Sequence, residues 1–214
     1  MHMKRRDFSL VCANVALASS SLLTSLAQAQ SAKPVAGRDY QVLDQRAPVE
    51  APADKVEVVE FFSYMCHVCN DFEPTFNAWT KSPPQGVVVR RVPVPFLPNF
   101  EVLQRLFYAL EAMNLVDRLH ASVFAAVHVE RRKLSDAATV ADWVAAQGVD
   151  RARFMDQFNS FTTATKVTRA KQLTNIYKIE GVPMLGIAGR FMTEGSAKGL
   201  RVVQALVADI GNGR

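Results

Sequence analysis

Cys66 and Cys69 are the residues of this sequence whose types and spacing are best suited to chemistry. They form a Cys-x-x-Cys motif directly after residues 56–64, a run rich in Val, Phe and Tyr that is typical of a buried strand. The polar run 70–73 that follows predicts a helix, so Cys66 should lie where a strand passes into a helix N-terminus. The unpaired N–H groups there favour a thiolate, the form that attacks disulfides. The motif therefore predicts dithiol–disulfide exchange.

Other uses of paired cysteines fit this sequence less well. A structural zinc site needs four ligands, and the sequence has no second cysteine pair and no closely spaced histidine pair to complete one. Haem attachment requires a histidine directly after the second cysteine, where this sequence has Asn70. A bridge across so short a loop would also add little stability. We therefore interpret the pair as reactive and expect neither a metal ion nor a bound cofactor.

The first 29 residues have the features of an export signal. The basic residues Lys4-Arg5-Arg6 precede an apolar stretch over residues 10–26, and Ala27-Gln28-Ala29 has the A-x-A form of a signal-peptidase site. A membrane anchor fits less well, because the stretch is rich in serine and ends in a cleavage motif. We expect cleavage after Ala29, which would remove Cys12 and leave only the motif cysteines. The partial twin-arginine pattern at residues 5–8 leaves the export route open.

Glu60 is a further chemical candidate. Alternation along the strand places it on an otherwise apolar face, six residues before Cys66. A buried carboxyl has a raised pKa and can pass protons to or from the cysteine pair. The alternative is a purely structural ion pair with Arg90 or Arg91, which lie on the next predicted strand. The sequence leaves both roles open.

The elements around the motif predict a sheet combined with many helices. A helix over residues 66–81, with a kink at Pro74, and a strand over residues 87–94 complete a βαβ unit with parallel strands. Apolar residues then recur at helical spacing over residues 100–177. The predicted helix starts in that stretch are Ser135 or Asp136, Asp150 or the residue before it, and Thr162 or Thr163. The chain then returns to strands over 184–188 and 190–193 and ends in a helix over 198–210.

Two separate segments resemble the DsbA family, thioredoxin-fold enzymes that introduce disulfides into exported proteins. The first is EFFSYMCHVC at residues 60–69, followed by DFEP, and the second is GVPML at residues 181–185. The resemblance implies an α/β thioredoxin fold with an inserted all-helical subdomain. It also implies that Pro183 is cis and borders Cys66, that the backbone of Val182 binds extended substrate, and that Glu60 relays protons.

The sequence departs from the family between the two cysteines. DsbA enzymes usually have Pro-His there, whereas this chain has His67-Val68. Val68 offers neither a hydrogen bond nor a charge, so we expect the Cys66 thiolate to be less stabilised than in those enzymes and the protein to be a weaker oxidant. His67, Val68 and Glu60 are thus the predicted determinants of redox strength.

These observations divide the chain into five predicted segments. The first two are a signal peptide at residues 1–29 and an extended lead-in at residues 30–55. The rest comprises a first thioredoxin-fold half with the Cys-x-x-Cys at residues 56–98, a helical insertion at residues 99–162, and a second half with the cis-proline loop at residues 163–214. The lead-in is too short to be the dimerisation domain of the related isomerases, so we expect a monomer.

The predicted function is a periplasmic thiol:disulfide oxidoreductase that introduces disulfide bonds into exported proteins. The resemblance implies reduced exported proteins as substrates and a DsbB-like protein of the inner membrane as the reoxidising partner. Nucleic-acid binding is not indicated, because the net charge is only +5 and the sequence has no extended run of basic residues. Two alternatives stay open: a thiol reductase or weak isomerase of the same fold, and a chaperone-like peptide-binding module with a vestigial Cys-x-x-Cys.

Overall fold

The computed structural model describes residues 33–96 and 100–213, and within them it has five strands and seven helices. The predicted signal peptide and its cleavage site lie outside these residues. The strands are β1 (Gln41–Val42), β2 (Val56–Phe62), β3 (Val87–Pro93), β4 (Met184–Ile187) and β5 (Phe191–Glu194). The helices are α1 (His67–Thr80), α2 (Glu101–Ala112), α3 (Val116–His128), α4 (Ala137–Ala146), α5 (Arg151–Phe158), α6 (Phe161–Ile176) and α7 (Ala197–Gly211).

The strands form one mixed sheet with the order β1-β5-β4-β2-β3. β2 pairs in parallel with β3 and antiparallel with β4, while β5 and β1 extend the sheet in antiparallel fashion. The predicted βαβ unit of β2, α1 and β3 is therefore confirmed. Because β2 has a partner on each side and is buried from Glu57 to Phe62, the sheet fixes the point from which the chain enters the Cys-x-x-Cys motif.

Five helices, α2 to α6, lie between β3 and β4 in the sequence, which confirms the predicted run of several helices. Within this group α2 contacts α3, α4, α5 and α6, and it also contacts β3. α3 packs against α1, so the helical segment touches the helix that begins at the motif. The C-terminal helix α7 instead contacts β2, β4 and β5.

Side-chain caps fix several of the helix starts. Asp136 caps α4 in a reciprocal capping box, and Asp150 caps α5, so both starts agree with the prediction. The predicted start of α6 at Thr162 or Thr163 is wrong, since the helix begins earlier. The cap is Ser160, whose Oγ accepts a hydrogen bond from the Thr163 backbone N–H at 3.1 Å, and Thr163 is buried inside the first turn.

The hydrophobic core consists of two clusters, and β2 contributes to both. The larger cluster joins β2 to the helical segment through side chains such as Phe61, Phe62, Phe107, Phe124 and Phe154. The smaller one joins β2, through Val58, to β4, α7 and the face of α1 that carries Phe72 and Phe76. α1 continues through Pro74 as one helix. No helix in the described residues is both long and apolar enough to span a bilayer.

Candidate active site

Cys66 and Cys69 lie at the start of α1 as free thiols. Cys66 is the N-cap residue of the helix, and its Sγ accepts a hydrogen bond from the Cys69 backbone N–H at 3.3 Å. That donor and the positive end of the helix macrodipole both favour a negative charge on the Cys66 sulfur. Cys66 is also only partly buried, whereas Cys69 is buried. Cys66 therefore has the environment of a nucleophile.

Cys69, one turn further into the helix, is in the opposite situation. It has no exposed surface. Burial raises the pKa of its thiol well above the usual value, and the charges of Cys66 and Glu60 raise it further, whereas the Ser63 backbone acts in the lowering direction. Cys69 therefore keeps its proton at neutral pH in the reduced protein. Two thiols three residues apart are thus chemically distinct.

The predicted cis-proline loop lies beside the motif. The Val182–Pro183 peptide bond is cis, and the Cys66 Sγ lies 3.4 Å from the Val182 carbonyl oxygen. Residues 116 positions apart in the sequence are thereby brought into contact. The Gly195 N–H donates to the Pro183 carbonyl at 2.9 Å, and a Cβ at residue 195 would lie only 2.5 Å from the Pro183 Cβ. Gly195 is therefore needed for the close approach that ties this loop to the end of β5.

The two residues between the cysteines are on the surface. His67 and Val68 both have exposed side chains in the first turn of α1. Val68 is 46% exposed and Met65, just before Cys66, is 49% exposed. The surface around the reactive sulfur is therefore partly apolar, as a site for unfolded polypeptide would be. The effect of His67 and Val68 on redox strength stays a prediction.

A buried ionic cluster lies next to the motif, formed by Glu60 of β2, Arg91 of β3, Glu73 of α1 and His120 of α3. Arg91 bridges the two carboxylates. Its Nε donates to Glu60 at 2.9 Å, and its Nη2 donates to both oxygens of Glu73 at 3.1 Å. Of the two partners considered for Glu60, the structure selects Arg91, since Arg90 forms its paired hydrogen bonds with Glu57.

Burial raises the pKa of both carboxyls in the cluster in spite of Arg91. For Glu73 burial is the largest effect, and the pKa rises to about 7. For Glu60 burial again outweighs the charge of Arg91, and the negative charge of Glu73 raises the pKa further. One guanidinium cannot compensate two carboxylates in a poorly solvated site, so the cluster takes up a proton readily. Glu60 is therefore ion-paired and has a raised pKa, and its relay of protons to the cysteine pair stays a prediction.

The same groups resemble a metal-binding set, because one ligand atom from each of Glu60, Glu73 and His120 lies within 4.8 Å of the others. Arg91, however, already occupies the space between the two carboxylates and supplies their positive charge. A metal ion would have to displace the guanidinium and would be repelled by it. The arrangement therefore fits a proton-holding ionic cluster better than a metal centre.

Sequence reasoning missed three residues of this site: Glu73, Tyr64 and His120. Glu73 carried a local signal, since it lies four residues after Cys69 and next to Phe72 on the buried face of α1. Tyr64 and His120 carried none, because their hydrogen bond, 2.6 Å between the Tyr64 hydroxyl and His120 Nδ1, joins positions 56 residues apart. Only the packing of α3 against the motif brings them together.

Comparisons with known proteins agree with this geometry. The sequence profile of the family described as the DSBA-like thioredoxin domain matches residues 57–207. The thiol:disulfide interchange protein DsbA of Burkholderia cepacia is 40% identical over 177 residues, which cover 83% of this chain and 84% of that protein. The protein of the same name from Bordetella parapertussis is 38% identical over 211 residues, which cover 96% of this chain and 98% of that protein.

A solved structure gives the same result. The crystal structure of Pseudomonas aeruginosa DsbA superimposes with a TM-score of 0.80 at 32% sequence identity, covering 84% of this chain and 96% of that one. The fold is therefore the thioredoxin-like fold of DsbA, with a mixed sheet and helices, as the sequence predicted. With a family profile that covers most of the chain, relatives at about 40% identity and a matching fold, the chain belongs to the DsbA family of thiol:disulfide oxidoreductases.

Proposed function

We propose that this oxidoreductase introduces disulfide bonds into exported proteins, with Cys66 as the nucleophile and Cys69 as the resolving thiol. The observation that carries this assignment is the difference between the two thiols. Cys66 caps the helix and is accessible, whereas Cys69 is fully buried and has a raised pKa. A reaction partner can therefore reach only one of the two sulfurs, and that sulfur is the better leaving group.

The exchange proceeds in two steps from the oxidised protein. A substrate thiolate attacks the Cys66 sulfur, the bond between Cys66 and Cys69 breaks, and the departing Cys69 sulfur takes up a proton. A second substrate thiolate then attacks the substrate sulfur of the mixed disulfide and releases Cys66 as a thiolate. The substrate gains one disulfide and gives up two electrons, and the Cys66–Cys69 pair receives them. Glu60, with its raised pKa, is the proposed proton carrier for Cys69.

The substrate is proposed to bind along the cis-proline loop. Val182 is half-buried beside Cys66, and its carbonyl oxygen already contacts the sulfur. An extended substrate segment that pairs with the Val182 backbone would bring its own cysteine to Cys66. The exposed side chains of Met65 and Val68 offer apolar contact without selecting a particular sequence. This arrangement suits many unrelated reduced proteins as substrates.

The cellular setting follows from the export signal and the chemistry. We place the protein in the periplasm, with the signal peptide cleaved after Ala29, because disulfides form and persist in oxidising compartments. Turnover requires a reoxidising partner, for which a DsbB-like protein of the inner membrane has the required chemistry. The protein itself is proposed to act as a monomer, with the thiol pair as its redox centre and without a bound cofactor.

One set of assays separates this function from its alternatives. The oxidised protein should convert a reduced peptide with two cysteines to its disulfide form, and Cys66→Ser should abolish this activity. Cys69→Ser, incubated with the disulfide form of the same peptide, should instead accumulate a mixed disulfide, because Cys66 attacks the peptide disulfide and no Cys69 thiol is present to resolve the product; mass spectrometry detects it. An equilibrium with glutathione that strongly favours the disulfide form would indicate a reductase. Peptide binding that is unchanged in the double serine variant, with no oxidation by the wild type, would indicate a chaperone-like module.

A further inference from the structure

Tyr64, two residues before the nucleophile, is held at two atoms by two histidines of α3. Its hydroxyl lies 2.6 Å from His120 Nδ1, and its carbonyl oxygen lies 2.8 Å from His128 Nε2. Tyr64 is 1% exposed, and its ring packs against Phe62 and Phe124. Helix α3 therefore forms hydrogen bonds with both the side chain and the main chain of Tyr64, in the loop that leads to Cys66.

The chemistry of each group determines which atom donates. Burial raises the pKa of the Tyr64 hydroxyl well above its usual value, so that hydroxyl is the donor and His120 Nδ1 the acceptor. The proton of the neutral imidazole is then on His120 Nε2, which faces a Glu73 oxygen at 3.4 Å. At the other contact the Tyr64 carbonyl can only accept, so His128 Nε2 donates. Both hydrogen bonds of Tyr64 therefore join α3 to the active-site region, whereas His120 Nε2 has no hydrogen-bond partner among the described residues.

The position of Tyr64 affects the path of the chain from Ser63 to Cys66. The Cys66 N–H donates to the Ser63 carbonyl at 3.0 Å, and the Met65 N–H donates to the Ser63 Oγ at 3.2 Å, so the turn from Ser63 to Cys66 is closed by its own bonds. The Tyr64 carbonyl points out of this turn toward His128. The bond from His128 therefore fixes the peptide plane between Tyr64 and Met65, and with it the angle at which the chain reaches the helix cap.

We propose that His128 and His120 are positioning residues of the active site, which fix Tyr64 and so hold the Cys66 sulfur against the first turn of α1. This inference rests on the proposed function only in taking Cys66 as the nucleophile. If the hydrogen bonds from these histidines to Tyr64 are lost, the Cys66 Sγ is held less firmly at the Cys69 N–H. The Cys66 thiolate then loses stabilisation. The reduced protein becomes less favoured, and the protein becomes a weaker oxidant.

A matched pair of substitutions tests the bond from His128. Gln has its Nε2 the same number of bonds from Cα as His Nε2, so His128→Gln keeps a donor for the Tyr64 carbonyl, whereas His128→Met has a similar shape and no donor. With His128→Met we expect alkylation of Cys66 at fixed neutral pH to slow by about threefold to tenfold, the range that the loss of one hydrogen bond allows. The equilibrium with glutathione should shift toward the disulfide form by a similar factor, and His128→Gln should restore both values to within about twofold.

Two further variants complete the test. Val123→Ala removes buried side-chain volume from the same helix and keeps both histidines that bond to Tyr64, so it should lower the stability and leave alkylation and the glutathione equilibrium as in the wild type. Tyr64→Phe should shift both readouts in the direction of His128→Met, because it removes the bond to His120.

Several results would overturn the inference. If His128→Met and His128→Gln change alkylation and the glutathione equilibrium equally, packing of the His128 ring is the cause and the hydrogen bond is not. If Val123→Ala changes both readouts as much as His128→Met does, general loss of stability is the cause. Wild-type values in His128→Met would show that the bond has no influence on the thiol. A wild-type protein that is alkylated at Cys69 instead would contradict the proposed function, which keeps the two failures distinguishable.

Discussion

Replacing Glu73 by Gln should change how the stability of the protein depends on pH. Glu73 and Glu60 share the single guanidinium of Arg91, and burial raises the pKa of Glu73 from 4.5 to about 7. A carboxyl with a higher pKa in the folded protein binds more protons when folded than when unfolded. Its contribution to stability is therefore present below pH 4.5 and is lost as the pH rises through the window from 4.5 to about 7.

The magnitude follows from the two pKa values. Taken alone, the Glu73 carboxyl lowers the free energy of unfolding by about 2–3 kcal/mol between about pH 5 and about pH 8. His120 acts in the opposite direction, since burial lowers its pKa from 6.5 to about 3. A histidine that stays neutral in the folded protein contributes stability that is lost as the pH falls below 6.5, about 2 kcal/mol by about pH 5. In the wild type these two groups nearly cancel.

The assay is urea unfolding of the oxidised protein at both pH values, so that the thiols do not titrate. From about pH 5 to about pH 8 we expect the stability of Glu73→Gln to rise by about 2–3 kcal/mol relative to that of the wild type, because the variant lacks the contribution of the Glu73 carboxyl. Any constant cost of the altered hydrogen bonds to Arg91 cancels in this comparison. As a control, Glu101→Gln removes a carboxylate from the exposed pair with Arg105 and should leave the wild-type dependence unchanged. If Glu73→Gln and the wild type keep a constant difference in stability at both pH values, burial does not control the proton of Glu73, and our account of the cluster is wrong.

Three further predictions concern the surface of the site and the sheet beneath it. Exchanging His67-Val68 for Pro-His should raise the reduction potential measured against glutathione, and an unchanged or lower value would move the control of redox strength to the buried cluster. Pro183→Thr should slow substrate release, so that mixed disulfides accumulate on non-reducing gels; their absence would speak against a role for this loop in release. Gly186→Ala should lower the free energy of unfolding by about 1–3 kcal/mol, because a Cβ there would lie 2.5 Å from the Tyr177 ring, and an unchanged urea midpoint would contradict that overpacking.

The parts of the site that could be predicted are those encoded by neighbouring residues. The strand before Cys66 and the helix after it depend on residues within one or two elements, where periodicity is informative. The contact of Pro183 with Cys66 is long-range, and it became predictable only because the two segments that carry it match one family. Family resemblance thus predicted a contact that periodicity alone does not reveal.

The buried cluster shows where sequence reasoning ends. Arg90 and Arg91 are consecutive residues of a strand, so alternation sends them to opposite faces of the sheet. Which face meets Glu60 depends on the register between β2 and β3, and the structure pairs Glu60 directly with Arg91. The position of His120 is even harder to predict, since a lone histidine on a helix gives no sign of the element it will face. Its position depends on how α3 packs against α1.

The asymmetry of the two thiols depends on both kinds of information. The helix cap, visible in the sequence, stabilises a negative charge on Cys66. The cluster, visible only in the structure, opposes a negative charge on Cys69, because Glu60 adds to the effect of burial. In the reduced protein Cys69 therefore keeps its proton at neutral pH. For the disulfide to form again, Cys69 must lose its proton, and it does so next to Glu60, a carboxyl whose own pKa is raised. A cluster that takes up a proton readily is suited to receive it, which supports the proposed role of Glu60 as the proton carrier for Cys69.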